Sequence, residues 1–342
     1  MKCEIRHFED YVGVEVFQKQ LIMRRVVYSL IPIFAFSILL YGWRSLAISA
    51  TVFFFGIATE YVFTKPKGKK VSEAILVTCM LYALSMPPLV PLWISAIGIV
   101  FGVGFGKCIF GGFGRNIFNP AIAGRLFVYV AFPQGMQRSF ITPWKPGMPW
   151  IHWLRMPADS ATAATPLMKI REGATLELLD LLSGFRMGSL GESAIILIIL
   201  AGIYLISTKT ANWRIILSTI SSFSAVIVVL WLASVSPTGS LAVFPPIESL
   251  LSGSIFLVAI FTVTDPVTAP KKPGAQWAYG LLIGGISAVI RIFSLFPEGV
   301  SFGVLIGNTF SSLLDELFPS ARRKPSTSKV LPKTKEKARS LA

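Results

Sequence analysis

The chain has 342 residues, 53% of them hydrophobic and 14% charged, with a formal net charge of +15. Soluble domains carry nearer a quarter charged residues. Together with a mean hydropathy of +0.66, this excludes an ordinary soluble fold and indicates a polytopic membrane protein. The excess positive charge lies in the connections between apolar segments, not in one patch, so nucleic acid is not the expected partner. Cys3, Cys79 and Cys108 are too few and too scattered for a disulfide framework or a zinc site, and His7 and His152 are too few for haem pairs. Any redox cofactor must be held by other means.

Residues 1–25 form a polar segment without the apolar core of a cleavable signal peptide. Phe8, Tyr11, Val12, Val16 and Phe17 among the charges suit an amphipathic helix lying on a membrane. Ten apolar segments follow, at about 26–43, 46–63, 71–87, 89–107, 118–132, 193–208, 213–235, 247–263, 276–294 and 298–316. Several are close to the roughly 17 residues needed to span a bilayer. Lys and Arg set the orientation. With the N-terminus inside, the inner segments hold 23 of the 32 basic residues and the outer connections 7, while Arg125 and Arg291 fall within segments. The expectation is therefore ten transmembrane helices with both ends cytoplasmic. The units are a first five-helix repeat over 26–132, an outer loop over 133–192, a second five-helix repeat over 193–316 and a basic tail over 317–342 that is a candidate for contact with anionic lipid.

Two stretches interrupt the spans. They fall at corresponding places: Gly111-Gly112-Phe113-Gly114-Arg115-Asn116-Ile117-Phe118-Asn119-Pro120-Ala121-Ile122-Ala123 in the first half and Thr262-Val263-Thr264-Asp265-Pro266-Val267-Thr268-Ala269-Pro270 in the second. Asn or Asp before Pro is a helix-start signal, with the polar side chain as cap and Pro at the first helical position. Five spans per half is an odd number, so a duplicated half would be inverted in the membrane. Paired breaks in inverted halves point to a central site. Asn116, Asn119 and Asp265 supply donors and acceptors there, with Phe113, Phe118 or Phe127 as apolar neighbours; capping alone also accounts for each. Arg125 and Arg291 are costly in a bilayer and need a partner. Arg125 is expected either near anionic groups of a cofactor or reaching for a headgroup. Glu60 is expected beside Lys65 or Lys67. Glu192 and Glu298 are expected at helix starts, where the macrodipole favours a carboxylate, and Gly188–Ser193 reads as a tight turn into the sixth span.

The outer loop contains Pro157-Ala158-Asp159-Ser160-Ala161-Thr162-Ala163-Ala164-Thr165-Pro166-Leu167. Thr165 offers a hydroxyl beside small residues, and Pro166 holds the preceding backbone extended. An ordinary capped loop is the alternative. The run resembles the Asp-x-x-Ser/Thr-Gly/Ala-Ala-Thr signature at which an ApbE-type flavin transferase esterifies FMN to threonine. There the hydroxyl attacks a diphosphate, and FMN remains attached by a phosphoester.

These pieces, with Phe132-Pro133, Gly188-Ser189-Leu190-Gly191-Glu192 and Phe296-Pro297-Glu298-Gly299-Val300, resemble the NqrB/RnfD family. That family contains the RnfD component of Rnf complexes and the NqrB component of the sodium-pumping NADH:quinone reductase (Nqr). Ala163 departs from the family's usual Gly. The short length is like Rnf, whereas Gly114–Ile117 and Ala123–Phe127 are like Nqr. The resemblance implies an all-α polytopic fold of two inverted five-helix repeats, similar to urea and ammonium transporters, in the cell inner membrane. It implies covalent FMN on Thr165, with Asp159 and Thr162 presenting the threonine to the transferase. It also implies a non-covalent riboflavin, for which Asn116, Asn119 and Asp265 are the candidates, and partner proteins carrying iron–sulfur and flavin centres. The chain has no nucleotide-binding fingerprint, metal-ligand set or complete catalytic site of its own. It is expected to serve as a flavin-carrying membrane component of an ion-translocating redox complex, moving Na+ or H+. A transporter or channel without a redox role and an assembly scaffold are the rivals.

Overall fold

A computed structural model describes residues 17–145, 165–172, 178–236, 245–294 and 299–318. The regular structure of the described residues is helical except for one short parallel pairing, β1 (Phe17–Gln18) on β2 (Val71–Ser72). Each of the ten apolar stretches holds a helical segment. The first five are α1 (Leu21–Tyr41), α2 (Trp43–Thr64), α3 (Ala74–Leu84), α4 (Leu92–Val103) and α5 (Pro120–Ala131). Three short helices follow: α6 (Pro133–Gln137), α7 (Pro166–Arg171) and α8 (Leu178–Ser183). The second five segments are α9 (Ile195–Ser207), α10 (Trp213–Leu232), the broken α11 (Pro246–Leu251) and α12 (Ile255–Leu257), then α13 (Pro273–Phe293) and α14 (Gly299–Leu317).

Four helices are long and apolar enough to cross a membrane: Leu21–Tyr41, Trp43–Lys67, Trp213–Leu232 and Pro273–Phe293. The chain is thus a multi-pass, all-α membrane protein. The third segment is short for a physical reason. α3 has 11 residues, about 16 Å at 1.5 Å per residue, roughly half a bilayer's ~30 Å hydrocarbon core. Pro87 and Pro88 stop its continuation. Its end carbonyls are met by the turn expected before the sixth segment: the Gly191 N–H donates to Leu84 O at 2.7 Å and the Leu190 N–H to Met86 O at 3.0 Å. Buried backbone groups need such partners wherever a helix stops short.

The two halves repeat one packing order. α4 packs on both α2 and α5, and α13 packs on both α10 and α14. Across the halves, α1 meets α9 and α5 meets α14. Small residues permit these approaches. A Cβ on Gly102 would lie 2.3 Å from the Pro120 carbonyl, and one on Gly284 would lie 2.2 Å from the Thr219 carbonyl.

Several expectations change. The break at Asp265 follows the eighth segment, whereas Asn119 opens the fifth, so the two do not occupy corresponding places in five-segment halves. Glu192 does not begin a helix. It sits in the turn before Ala194, the residue that precedes α9, and its carboxylate accepts from the Ser189 N–H at 3.3 Å. Neither membrane arginine reaches for a surface. Arg125 is 1% exposed, with Nη2 3.4 Å from Ser189 Oγ. Arg291 donates to the Ser249 and Ser252 carbonyls at 2.7 and 3.1 Å and lies over the Phe223 ring. Glu298 lies outside the described residues.

Candidate functional site

The polar stretches of the two halves meet at one cleft. Asn119 caps α5 as its sequence suggests. Its Oδ1 accepts from the Ala121 N–H at 3.0 Å and the Ile122 N–H at 3.4 Å, with Pro120 at the first helical position. The other end of the same amide, Nδ2, reaches Asp265 Oδ2 at 3.4 Å. One side chain therefore caps a helix and bridges 146 residues of sequence. Asp265 does not begin a helix, since the next one starts at Pro273. Its Oδ1 instead accepts from the Val267 N–H at 3.2 Å and its backbone carbonyl from the Ala269 N–H at 3.0 Å, which folds 265–269 into a turn. Thr268 Oγ1 adds a long contact to Asp265 Oδ2 at 3.5 Å. Asn116 is buried and donates to the Phe118 carbonyl at 3.2 Å.

Asn116, Asn119 and Asp265 thus line the same cleft, with Phe113, Lys107 and Thr264. Apolar residues of α1, of α3 and of a π-helical turn over Val258–Thr262 close it. The cleft is narrow, about 50 Å³, where a water takes ~30 Å³ in the liquid. Of the three expected aromatic neighbours only Phe113 belongs here. Phe118 and Phe127 face a separate apolar groove with Phe101 and Phe105, where the Phe101 and Phe127 rings stack 4.0 Å apart.

One charged feature was not legible in the sequence. Lys107, the last residue of the fourth apolar segment, is 2% exposed, and Glu60 is equally buried. Lys107 Nζ donates to Glu60 Oε2 at 2.8 Å and to Ser72 Oγ at 2.7 Å. Glu60 Oε1 accepts from the Ser72 hydroxyl at 2.7 Å and the Ser72 N–H at 3.2 Å. Glu60 is therefore not paired with Lys65 or Lys67. The cause is a π-helical turn, Gly104–Cys108, that extends α4 and carries Lys107 inward against α2. Such turns are frequent at functional sites, and a second one, Val258–Thr262, faces the same cleft from the other half. Nearby, Arg24 Nε binds Glu73 Oε1 at 2.9 Å.

Thr165 is described, and Asp159 and Thr162 lie outside the described residues. Thr165 is half-buried, with φ −61° and ψ 158°, the extended backbone expected before proline. Its Oγ1 accepts from the Met168 N–H at 3.4 Å, at the start of α7. α7 is seated on the second half by Arg171, whose Nη2 donates to the Arg291 and Ser294 carbonyls at 2.9 and 2.8 Å. Arg171 also interacts electrostatically with Tyr129, near the end of α5. Asn119 opens α5, so the cleft and the Thr165 helix are served by opposite ends of one 12-residue helix, about 18 Å long.

A family model described as the NQR2, RnfD, RnfE family matches residues 15–324. The chain is 33% identical over 298 residues to the NqrB component of the Na(+)-translocating NADH-quinone reductase of Yersinia pestis, covering 83% of this chain and 70% of that protein. The NqrB proteins of Pseudoalteromonas atlantica and Azotobacter vinelandii are 34% and 32% identical. Those matches cover 79% and 82% of this chain, but 65% and 68% of the relatives' own length. This chain thus spans about two thirds of the relatives it matches, and it belongs to the NQR2, RnfD, RnfE family.

Proposed function

We propose that this protein is the flavin-carrying membrane component of a redox-driven ion-translocating complex, with ten spans in two inverted five-helix repeats. FMN is carried as a phosphoester on Thr165, and a riboflavin is held non-covalently at the Asn116–Asn119–Asp265 cleft. The observation that carries the reading is the placement of these two positions at opposite ends of α5, with Asn119 at one end and the Arg171-anchored Thr165 helix at the other. The repeated packing order supports the two halves. In this reading the 133–192 loop faces outward and both ends face the cytoplasm.

The cleft suits a flavin in chemistry, with amides and a carboxylate for the polar edge of a ring and Phe113 and aliphatic residues for its apolar side. It does not yet suit one in size. Admission of a ring requires the cleft to widen at its exposed edge, where Ile22 and Phe113 lie. Bound flavin supplies the one- and two-electron chemistry, which no side chain here provides. The residues position it: Asn119 fixes the start of α5 and the Asp265 turn together, and Arg171 ties α7 to α13. Partner proteins of the complex carry the iron–sulfur and further flavin centres and the nucleotide site. An ApbE-type transferase loads Thr165, with Asp159 and Thr162 as its recognition residues.

The rival is a transporter or channel, which the broken third and eighth segments also suit. In-gel ultraviolet fluorescence of the denatured chain, expressed with a flavin transferase, separates the two. The expected result is a fluorescent wild-type band that is lost in Thr165→Ala, together with electron transfer. A dark wild-type band, or a fluorescent mutant, sinks the covalent assignment. Full complex activity in a non-fluorescent Thr165→Ala points instead to a scaffold.

A further inference from the structure

The first turn of α1 joins the two halves at the edge of the cleft. Its Ile22, Met23 and Val26 line the cleft, as do Thr78 of α3 and Leu205 near the end of α9, and α1 packs on both of those helices. Leu21 and Ile22 are exposed while Met23 is buried, so the turn has one face to the outside and one to the cleft.

Two adjacent arginines fasten this turn in opposite directions. Arg24 Nε donates to both oxygens of Glu73, at 2.9 and 3.0 Å, and Glu73 immediately precedes α3. The Gln20 N–H adds a bond to the same carboxylate. Arg25 Nη1 donates to the Thr208 carbonyl at 2.9 Å, just past the end of α9. Ahead of α1 the attachment continues as the two-residue β1–β2 pairing, and strands this short are not stable on their own. Behind the fasteners lies a weak point in the helix itself. Pro32 stands inside α1. It has no N–H for the Tyr28 carbonyl, which interrupts the helical ladder there.

From this we infer that residues 21–31 form a strap, hinged at Pro32, whose release from Glu73 and Thr208 opens the cleft. The fasteners sit at the ends of spans, where Lys and Arg mark the water boundary. The cleft is therefore entered by a polar ligand from water, not from lipid. A closed strap accounts for a cleft of only about 50 Å³. That the ligand is a flavin rests on the function proposed above; the opening of the strap does not.

Alkylation of the full-length chain in neutral detergent tests the strap. Thr78→Cys places a thiol in the cleft wall, and its reaction with N-ethylmaleimide is followed residue by residue by tandem mass spectrometry. The fully buried Cys79 reports on the integrity of the fold. Adding Arg24→Gln/Arg25→Gln is expected to raise the rate at Thr78→Cys at least about tenfold, the value of one hydrogen bond to a charged group, and to leave Cys79 unmodified. Arg24→Lys/Arg25→Lys restores part of the protection. Pro32→Ala completes the ladder and lowers the rate below that of Thr78→Cys alone. In chains loaded with riboflavin, Arg24→Gln/Arg25→Gln speeds flavin release by a similar factor. A wild-type chain that takes up no riboflavin removes the flavin reading, and the labelling ratio then decides the strap by itself. Equal labelling with and without the two arginines overturns the strap. Modification of Cys79 in step with Thr78→Cys also overturns it, since that is general unfolding. A Pro32→Ala chain that labels as fast as its parent overturns the hinge.

Discussion

Asn119-Pro120 and Asp265-Pro266 carry the same local signal, a short polar side chain ahead of proline, and come to different ends. Asn119 starts a 12-residue helix, with its amide as cap. Asp265 closes a turn, and no helix begins until Pro273. The signal permits a helix start, but apolar sequence must follow for a helix to be worth packing. Ala121–Ala131 provides that face against α4, whereas Val267–Lys272 brings Pro270 and two lysines. The difference also separates the roles. Asn119 is structural and bridging at once, while the Asp265 carboxylate is held by a backbone N–H, a threonine and the partner amide.

Breaking the support behind the first stretch has the largest expected effect. Lys107→Met leaves Glu60 buried without its cation, and such losses cost about 3–5 kcal/mol. Thermal unfolding of the detergent-solubilised chain should show a collapse in midpoint, and Glu60→Gln in the same background should restore part of it. A double variant no more stable than Lys107→Met alone removes the pair from the account. Next comes Gly102→Ala, whose Cβ would meet the Pro120 carbonyl at 2.3 Å. Overpacking of this kind costs about 1–3 kcal/mol, and a wild-type midpoint would show that α4 and α5 give way freely.

Asn119→Ala removes the cap of α5, about 1 kcal/mol by itself, and the amide donor to Asp265. Asn119→Asp is the sharpening partner. It keeps a capping oxygen but sets two carboxylates together, so it should unfold no more easily than Asn119→Ala at acidic pH and more easily at neutral pH. Identical midpoints for both variants at both pH values would disconnect Asn119 from Asp265. Asp265→Asn keeps an acceptor for the Val267 N–H but points an NH2 group at the Asn119 amide donor, and an unmatched buried donor costs about 1–3 kcal/mol, less than the loss at Lys107. Its effect is expected in flavin retention and complex activity. A destabilisation as large as that of Lys107→Met would make Asp265 a structural residue first.

The membrane class, the ten apolar segments and the polar stretches were legible because hydrophobic periodicity and Pro/Asn signals are local. So was the extended Thr165 ahead of Pro166, since a proline ring restricts its neighbour regardless of context. Three features were not. Lys107 looks like one more inner-face charge at the end of a span until a π-helical turn rotates it onto Glu60. Phe118 and Phe127 look like cofactor neighbours until the face of α5 that carries them turns to a different groove. The correspondence of breaks between halves looks like 119 with 265, whereas element order sets Asp265 against the Pro87–Pro88 break after α3.

What the sequence by itself determined is one-dimensional: which stretches prefer apolar surroundings, where helices stop, and which short motifs are present. Which polar groups share a cleft was decided only when the halves packed. Asn119 and Asp265 are 146 residues apart, and no local preference acts over that separation. The physical reason is that a buried amide or carboxylate must find partners once water is excluded. Only the folded arrangement of α5, its π-helical neighbours and the 265–269 turn supplies them.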